Sequence, residues 1–413
     1  MLIRKGYKFR LKLSEGEDRK LKIFSGCCRF VWNKALAVQD GLFRDEDQNL
    51  LSKTKLLNLL SDWKQEHPFL KESYSQILQQ SLIDLDRAYQ GFFRRLRKIR
   101  AGDFSEGDDP GYPKFKKKYL HDSFRFPQGF RIENRHIYLP KLGWFRFYKS
   151  QEIEGTPKNV TVSRDGPHWY VSVQVEQKIP DPCSVREPST GLDMGVSRFV
   201  TLSNGSFMEP LNVFRGLESK LAREQKKLSR KVKFSSNWKK QKAKVQKIHR
   251  KIRDTRLDFL HKISRWIADK YNTVFVEDLR IGNMSASAKG TVDNPGTNVK
   301  AKSGLNKSIL DQGWGEFLRQ LGYKLMWKGG ELLRVNPANT SVTCSRCGHV
   351  SSDNRKSQSR FECEVCALEI NADHNAAINI KTLGQRGLVC GSNRTSGRKQ
   401  KLPGNGDRVP VPA

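Results

Sequence analysis

The chain has 413 residues, enough for two to four domains, and carries 76 Lys+Arg against 43 Asp+Glu, a formal net charge of +33. Self-repulsion at that charge opposes compaction unless a polyanion neutralises it, so the expected partner is nucleic acid; no small-molecule substrate is implied, and no lipidation motif or amphipathic anchor argues for a membrane. Mean hydropathy is −0.66, no apolar run approaches the roughly 18 residues of a membrane span, and "MLIRKGYKFRLKL" lacks the apolar centre of a signal peptide, so a cytoplasmic, nucleoid-associated protein is expected.

The first stretch, residues 2–13, alternates with period two and predicts a strand. Helical periodicity follows over 15–100, strongest where Tyr74, Leu78, Leu82, Leu85, Tyr89, Phe92 and Leu96 recur every three or four residues. Adjacent Cys27 and Cys28 in this region read as buried packing residues. "AGDFSEGDDPGYP" breaks the helix. Strand patterns then dominate to about 180: "RIENRHIYLP", "GWFRFYK", "NVTVSR" and "HWYVSVQVE". Basic and aromatic residues interleave in "GYPKFKKKYL" and "SFRFPQGF". Strand packing and a groove for phosphates and bases both explain that alternation.

After a linker at 180–190, "GLDMGVSRFVTLSNGSFME" reads as strand, tight turn, strand and Asn-Gly hairpin. Residues 215–265 hold 19 Lys/Arg against 4 Asp/Glu. They predict a short basic helix through Leu217, Leu221 and Leu228. A long one follows, with an apolar stripe of Val245, Ile248, Ile252, Phe259, Ile263 and Trp266. Lys247, Arg250, Lys251 and Arg253 on the basic reverse are candidate backbone-phosphate contacts. "NTVFVEDL" suits a buried parallel strand. Residues 282–305 read as a mobile loop, "SILDQGWGEFLRQLGYKLMWKG" as helix and "GELLRVN" as strand. The Gly/Pro/Ser-rich basic tail, 391–413, reads as disordered. Cys183 and Cys390 look incidental.

Three acids interrupt elements that otherwise suit burial. Asp193 lies on a strand ahead of a turn at Gly195, Glu277 ends another strand, and Asp373 heads a helix. A buried carboxylate is costly unless paired or metal-bound. Together the three would make a hard-oxygen cage for Mg²⁺ or Mn²⁺, the ions that activate water and stabilise a leaving oxygen in phosphodiester hydrolysis. Their order along the chain is similar to that of RuvC-like nucleases of the ribonuclease H fold. "GLDMGVSRFV" also resembles the phosphate loop of actin-type ATPases, but the further glycine-rich segments of those proteins are missing, as is any P-loop.

Cys344, Cys347, Cys363 and Cys366 are spaced C-x₂-C-x₁₅-C-x₂-C. That spacing fits a four-thiolate zinc ribbon, closed and therefore structural. His349 and His374 read as spare. The ribbon would present Arg346, Arg355, Lys356 and Arg360 to a nucleic-acid strand.

Seven motifs, "GLDMGV", "IHRKIRDTRLDFLHKIS", "VEDLRIGNM", "GWGEFLRQLGYK", "CSRCG", "CEVCA" and "DHNAAINI", occur in an order that resembles the TnpB proteins of bacterial insertion sequences. The resemblance spans about residues 1–383. It implies a multidomain α+β architecture: a wedge-like β-barrel (1–14 and 112–182), a helical recognition insertion (15–111), a RuvC-like nuclease domain (187–340 and 371–390) and an inserted zinc ribbon (341–370). It implies an RNA-guided endonuclease that cuts double-stranded DNA beside a short target-adjacent motif. Its guide RNA would come from the transposon end, and Asp193, Glu277 and Asp373 would be the catalytic, Mg²⁺- or Mn²⁺-binding acids. By position, Gln76 and Gln79 fall where the motif would be read, or on the solvent face of their helix; Gln suits bidentate contact to adenine. Many members carry Asp-Arg where Asn371 and Ala372 stand here. The alternative is a nuclease-inactive, RNA-guided DNA-binding regulator, which would normally have lost one of the acids.

Overall fold

The computed structural model describes residues 1–44, 50–101, 109–118, 120, 122–179, 187–291 and 294–389. The expected tail 391–413, Cys183, Cys390 and most of the 180–190 linker lie outside the described residues. The chain divides into two units, Leu2–Lys178 and the part running on from Ile179.

In the first unit, β1 (Leu2–Lys12) is followed by a helical run. A reciprocal cap starts that run: Glu17 N–H donates to Ser14 Oγ, and Ser14 N–H donates to Glu17 Oε2. Helices α1 (Glu15–Arg44), α2 (Lys53–Glu66) and α3 (Ser75–Arg100) follow. Strands β2 (Ser123–Phe126), β3 (Arg131–Glu133), β4 (His136–Leu139), β5 (Gly143–Phe147), β6 (Thr156–Asp165) and β7 (His168–Lys178) complete it. They form one antiparallel sheet of order β2-β6-β7-β1-β5-β4-β3. Alternation fixes the register: Trp169, Val171, Val173 and Val175 of β7 and Ile3, Tyr7, Phe9 and Leu11 of β1 are all buried. "RIENRHIYLP" is a hairpin rather than one strand, because Asn134 takes a left-handed turn conformation (φ 50) between β3 and β4. Cys27 and Cys28 are buried in the core shared by helices and sheet.

The second unit opens with β8 (Ser189–Asp193), β9 (Val200–Leu202) and β10 (Phe207–Met208), then α4 (Val213–Ser229) and α5 (Ser236–Lys270). Next come β11 (Thr273–Glu277), α6 (Ile281–Met284), α7 (Val299–Gln312), α8 (Trp314–Trp327) and β12 (Glu331–Val335). The cysteine module, with β13 (Arg360–Glu362) and β14 (Glu369–Asn371), precedes α9 (Ala372–Val389). The sheet order is β10-β9-β8-β11-β12, with β8, β11 and β12 parallel and β9 and β10 antiparallel. The apolar stripe of α5 serves two cores. Val245, Ile248 and Ile252 pack on Leu221 of α4, while Leu260, Ile263 and Ile267 join the core under the sheet. Phe259 and Trp266 are only partly buried beside it. The expected loop at 282–305 is shorter than its composition suggests. Residues 281–284 form α6, and α7 begins at Val299, where Lys, Ala and Leu supply helix propensity.

Candidate active site and cysteine cluster

Asp193 and Glu277 end two adjacent parallel strands. Leu192 pairs with Val276, so the residue after each lies at the same carboxyl edge of the sheet. Asp373 reaches that edge from the first turn of α9, which packs across β8, β9, β11 and β12. Two glycines allow the close approach. A methyl on Gly191 of β8 would stand 2.2 Å from the Ala377 carbonyl oxygen, and one on Gly384 of α9 would stand 2.0 Å from the Phe275 ring. Asn371 caps the helix, its Oδ1 accepting from the N–H groups of Asp373 (3.1 Å) and His374 (3.3 Å). The Asn371-Ala372 departure from the Asp-Arg pattern therefore keeps local support for the last acid.

Asp193 lies within the electrostatic reach of both other acids. Burial, then the charges of Glu277 and Asp373, push the Asp193 carboxyl up to about 7. Burial raises Glu277, opposed by the Thr340 hydroxyl that donates to its Oε1. Burial raises Asp373, opposed by the guanidinium groups of Arg355 and Arg198. Arg355 Nη2 lies 3.8 Å from Asp373 Oδ1. Among the described residues, the set of ligand atoms gathered within 4.8 Å of one another is the four cysteines; the three carboxylates stand further apart. Mg²⁺ tolerates that spacing, because it is commonly held by one or two carboxylates and keeps several waters. Asp193 bears the repulsion of both other carboxylates, and a hard divalent cation is the kind of group that would offset it.

The thiols of Cys344 and Cys366, and of Cys347 and Cys363, are each 3.5 Å apart. A disulfide needs about 2.05 Å, whereas four sulfurs about 2.3 Å from one tetrahedral Zn²⁺ stand roughly 3.8 Å from each other. The two knuckles repeat one backbone pattern. Gly348 N–H donates to Cys344 O (2.9 Å), and Ala367 N–H donates to Cys363 O (3.0 Å). Gly348 (φ 79) and Ala367 (φ 52) are both left-handed.

The ribbon's basic residues separate by environment. Arg360 is held by Glu362 and Glu369, Lys356 faces Glu364, and Arg355 meets an acid of the cluster, Asp373. His374 lies 3.2 Å from the Ser203 carbonyl, and His349 lies 3.9 Å from Glu364. Four contributors are singled out by no motif in the sequence, Arg198 beside Asp373 among them. Thr340 holds Glu277. Asn375 and Asn379, buried one turn apart on α9, donate to the carbonyls of Thr340 and Thr343 ahead of the first knuckle. Their signal was available: two Asn at i and i+4 in an otherwise apolar helix face need buried partners.

In the first unit, Gln76 and Gln79 sit one turn apart on α3. Gln79 is exposed, and the Gln76 Oε1 atom is buried with no hydrogen-bond partner. On α5, Lys247 and Lys251 are exposed one turn apart, Arg250 is half-buried, and Arg253 donates to Asp254.

Three family models match segments of the chain: OrfB_IS605, "Probable transposase", over 170–288; the Cas12f1-like TNB domain over 314–380; and an OrfB_IS605 helix-turn-helix domain over 1–44. The chain is 46% identical to the "Putative RNA-guided DNA endonuclease InsQ" of Escherichia coli (strain K12), over 96% of both proteins. The chain belongs to the TnpB family of insertion-sequence proteins. A second relative, the "Putative RNA-guided DNA endonuclease" of Streptomyces pristinaespiralis, is 30% identical over 94% of this chain and 91% of its own length. Among solved structures, Cas12f1 bound to single-guide RNA and target DNA is 15% identical, with TM-score 0.48, over 92% of this chain and 99% of that one. Among the described residues of this TnpB protein, no helix is long and apolar enough to cross a membrane.

Proposed function

We propose that this protein is a transposon-encoded, RNA-guided endonuclease that hydrolyses double-stranded DNA next to a short target-adjacent motif. The observation that carries the reading is the convergence of Asp193, Glu277 and Asp373 at one sheet edge, in a TnpB chain that retains all three. Acids on the unit's first strand, then on a later parallel strand, then at the head of a helix follow the order a RuvC-like reading requires. In this reading the first unit combines the wedge-like β-barrel (1–14 and 112–182) with the helical recognition insertion (15–111). The second holds the nuclease domain (187–340 and 371–390) and the ribbon (341–370).

The three carboxylates would hold Mg²⁺ or Mn²⁺, which when bound supplies an activated water and stabilises the leaving oxygen. The chain's own residues prepare the site. Thr340 orients Glu277, Asn371 fixes the start of α9, and Arg355 and Arg198 add positive charge beside Asp373, where a scissile phosphate would be held. The four cysteines would hold Zn²⁺ and fix Arg355 over the acids. Gln76 and Gln79 are assigned to motif reading, and Lys247, Arg250, Lys251 and Arg253 to backbone phosphates. The guide RNA is assigned to the transposon end, to be tested by sequencing RNA that co-purifies with protein expressed from its own locus.

The experiment is Asp193→Ala assayed for cleavage and for binding in parallel. Cleavage should disappear while RNA and target binding persist. A variant that cuts as fast as wild type removes Asp193 from the site and the nuclease reading with it.

A further inference from the structure

The turn between α4 and α5 presents two aromatic rings that the nuclease site does not use. The two helices form an antiparallel hairpin, with Gln241 Nε2 donating to Glu224 O across the pair (3.0 Å). Phe234, in the turn, is 66% exposed, and Val232 beside it is 80% exposed. The Phe234 backbone is left-handed, with φ 70. A bulky residue adopts that conformation against its preference, and such strain collects at working surfaces. The Trp238 ring lies 5.5 Å from that of Phe234, and Ser235 Oγ accepts from Trp238 N–H (3.1 Å) to start α5. Lys233 Nζ stands 5.6 Å from the Phe234 ring centre, and Lys242 Nζ 5.0 Å from that of Trp238. Residues 225–253 contain thirteen Lys/Arg and no acid.

We infer that Phe234 and Trp238 form a stacking platform for an unpaired base of an RNA strand whose phosphates lie on the lysines around them. An exposed ring, Phe234, backed by the half-buried ring of Trp238 and set among cations fits a ligand that offers a flat apolar face between two negative charges. A protein partner would need acidic side chains in that pattern, but an oligonucleotide has it at every residue. RNA is favoured over intact target duplex, which keeps its base faces inside the stack, whereas folded RNA offers splayed bases in loops and at ends; a displaced DNA strand is the rival that the single-stranded DNA probe tests. Relaxing Phe234 to a right-handed conformation would redirect its ring, so the strained backbone is what aims the platform. The proposal rests on the RNA-guided reading and adds a contact to it.

The test uses the full chain in buffer without added divalent ions. The probe is a short single-stranded oligoribonucleotide containing 2-aminopurine; the same sequence as DNA and a blunt RNA duplex serve as comparisons. Single-stranded RNA should bind with quenching of the 2-aminopurine. Phe234→Gly and Trp238→Leu should each weaken that binding about tenfold. The salt slope should stay the same, because no phosphate contact is removed, whereas Lys233→Ala should lower it. Phe234→Gly relieves the left-handed strain, so it should unfold no earlier than wild type, and a loss of binding cannot then be a loss of fold. Equal RNA affinity in wild type and both ring variants, or a loss confined to the DNA probe, overturns the inference. Either result beside intact guided cleavage leaves the endonuclease reading in place; ring-dependent RNA binding without guided cleavage in the wild type does the reverse.

Discussion

Gly191 of β8 lies against the backbone of α9, so closely that a methyl group there would stand 2.2 Å from the Ala377 carbonyl oxygen and 2.6 Å from the Lys381 amide nitrogen. Backbone cannot rotate away as a side chain can. Gly191→Ala should therefore lift the helix that carries Asp373. The expected cost is about 3 kcal/mol in urea unfolding, with cleavage reduced at least about a hundredfold for a displacement on the order of 1 Å at the acids. Gly216→Ala in α4 is the control, since nothing lies within 4 Å of its added methyl. It should gain about 1 kcal/mol from helix propensity and cut normally. Wild-type cleavage by Gly191→Ala would show that α9 does not position Asp373.

Proton uptake at Asp193 gives a pH dependence of defined sign. Its carboxyl titrates at about 7 in the fold and at about 3.9 in the unfolded chain. Between those values the folded state keeps a proton that the unfolded state has released. Without divalent ions, this contribution is therefore greatest below about pH 4, is lost as pH rises towards 7, and changes little above. Asp193→Asn should be more stable than wild type by about 4 kcal/mol at pH 8 and equal to it near pH 4. Added Mg²⁺ should narrow or reverse the gap at pH 8, because it stabilises the wild-type cluster selectively. A stability difference independent of pH would mean that Asp193 is not held protonated by its surroundings.

Ala367 is left-handed at φ 52, in the position where the first knuckle has Gly348 at φ 79. An alanine pays roughly 1 kcal/mol for that conformation and a glycine does not. Ala367→Gly should slow amide exchange in the second knuckle, around Cys363 and Leu368, by a factor of about five. Unchanged or faster exchange there would argue that glycine's greater freedom in the unfolded chain outweighs the relief.

Much of the second unit was legible because local chemistry and tertiary placement agree. "NTVFVEDL" is short, apolar and bounded by polar residues, which leaves few options except a buried strand. The cysteine spacing can close on one centre without knowledge of the rest. Asp193, Glu277 and Asp373 could be named, yet their spacing could not, since it depends on how closely α9 lies on β8 and β11. The α7 start was missed because composition over 282–305 averages a Gly/Asn-rich stretch with a helix former run beginning at Val299. The division of α5 between two cores was also invisible: periodicity identifies a buried face but not what buries it. Arg355 and Arg360 look equivalent in the sequence, and only folding puts one beside Asp373 and the other between Glu362 and Glu369.

Removing the Zn²⁺ proposed for the four thiols should impair cutting more than binding. The module's own core is small, with Cys344, Phe361, Cys363 and Ala372 buried, so little besides the four-thiolate centre holds it folded. It is also joined to the active-site helix: Asn375 Oδ1 accepts from Ser345 N–H (3.0 Å), its Nδ2 donates to Thr343 O (2.8 Å), and Arg355 reaches Asp373. Melting the ribbon therefore frees one flank of α9 and withdraws a guanidinium from the acids, while the basic face of α5 is unaffected. Cys363→Ser combined with Cys366→Ser should lose one equivalent of zinc by metal analysis, lower cleavage at least about a hundredfold and weaken RNA binding less than about threefold. Asn379→Ala, which keeps the thiolates but breaks the links to Thr340 and Thr343, should retain zinc and still lose activity. Full cleavage by either protein would uncouple the ribbon from the site.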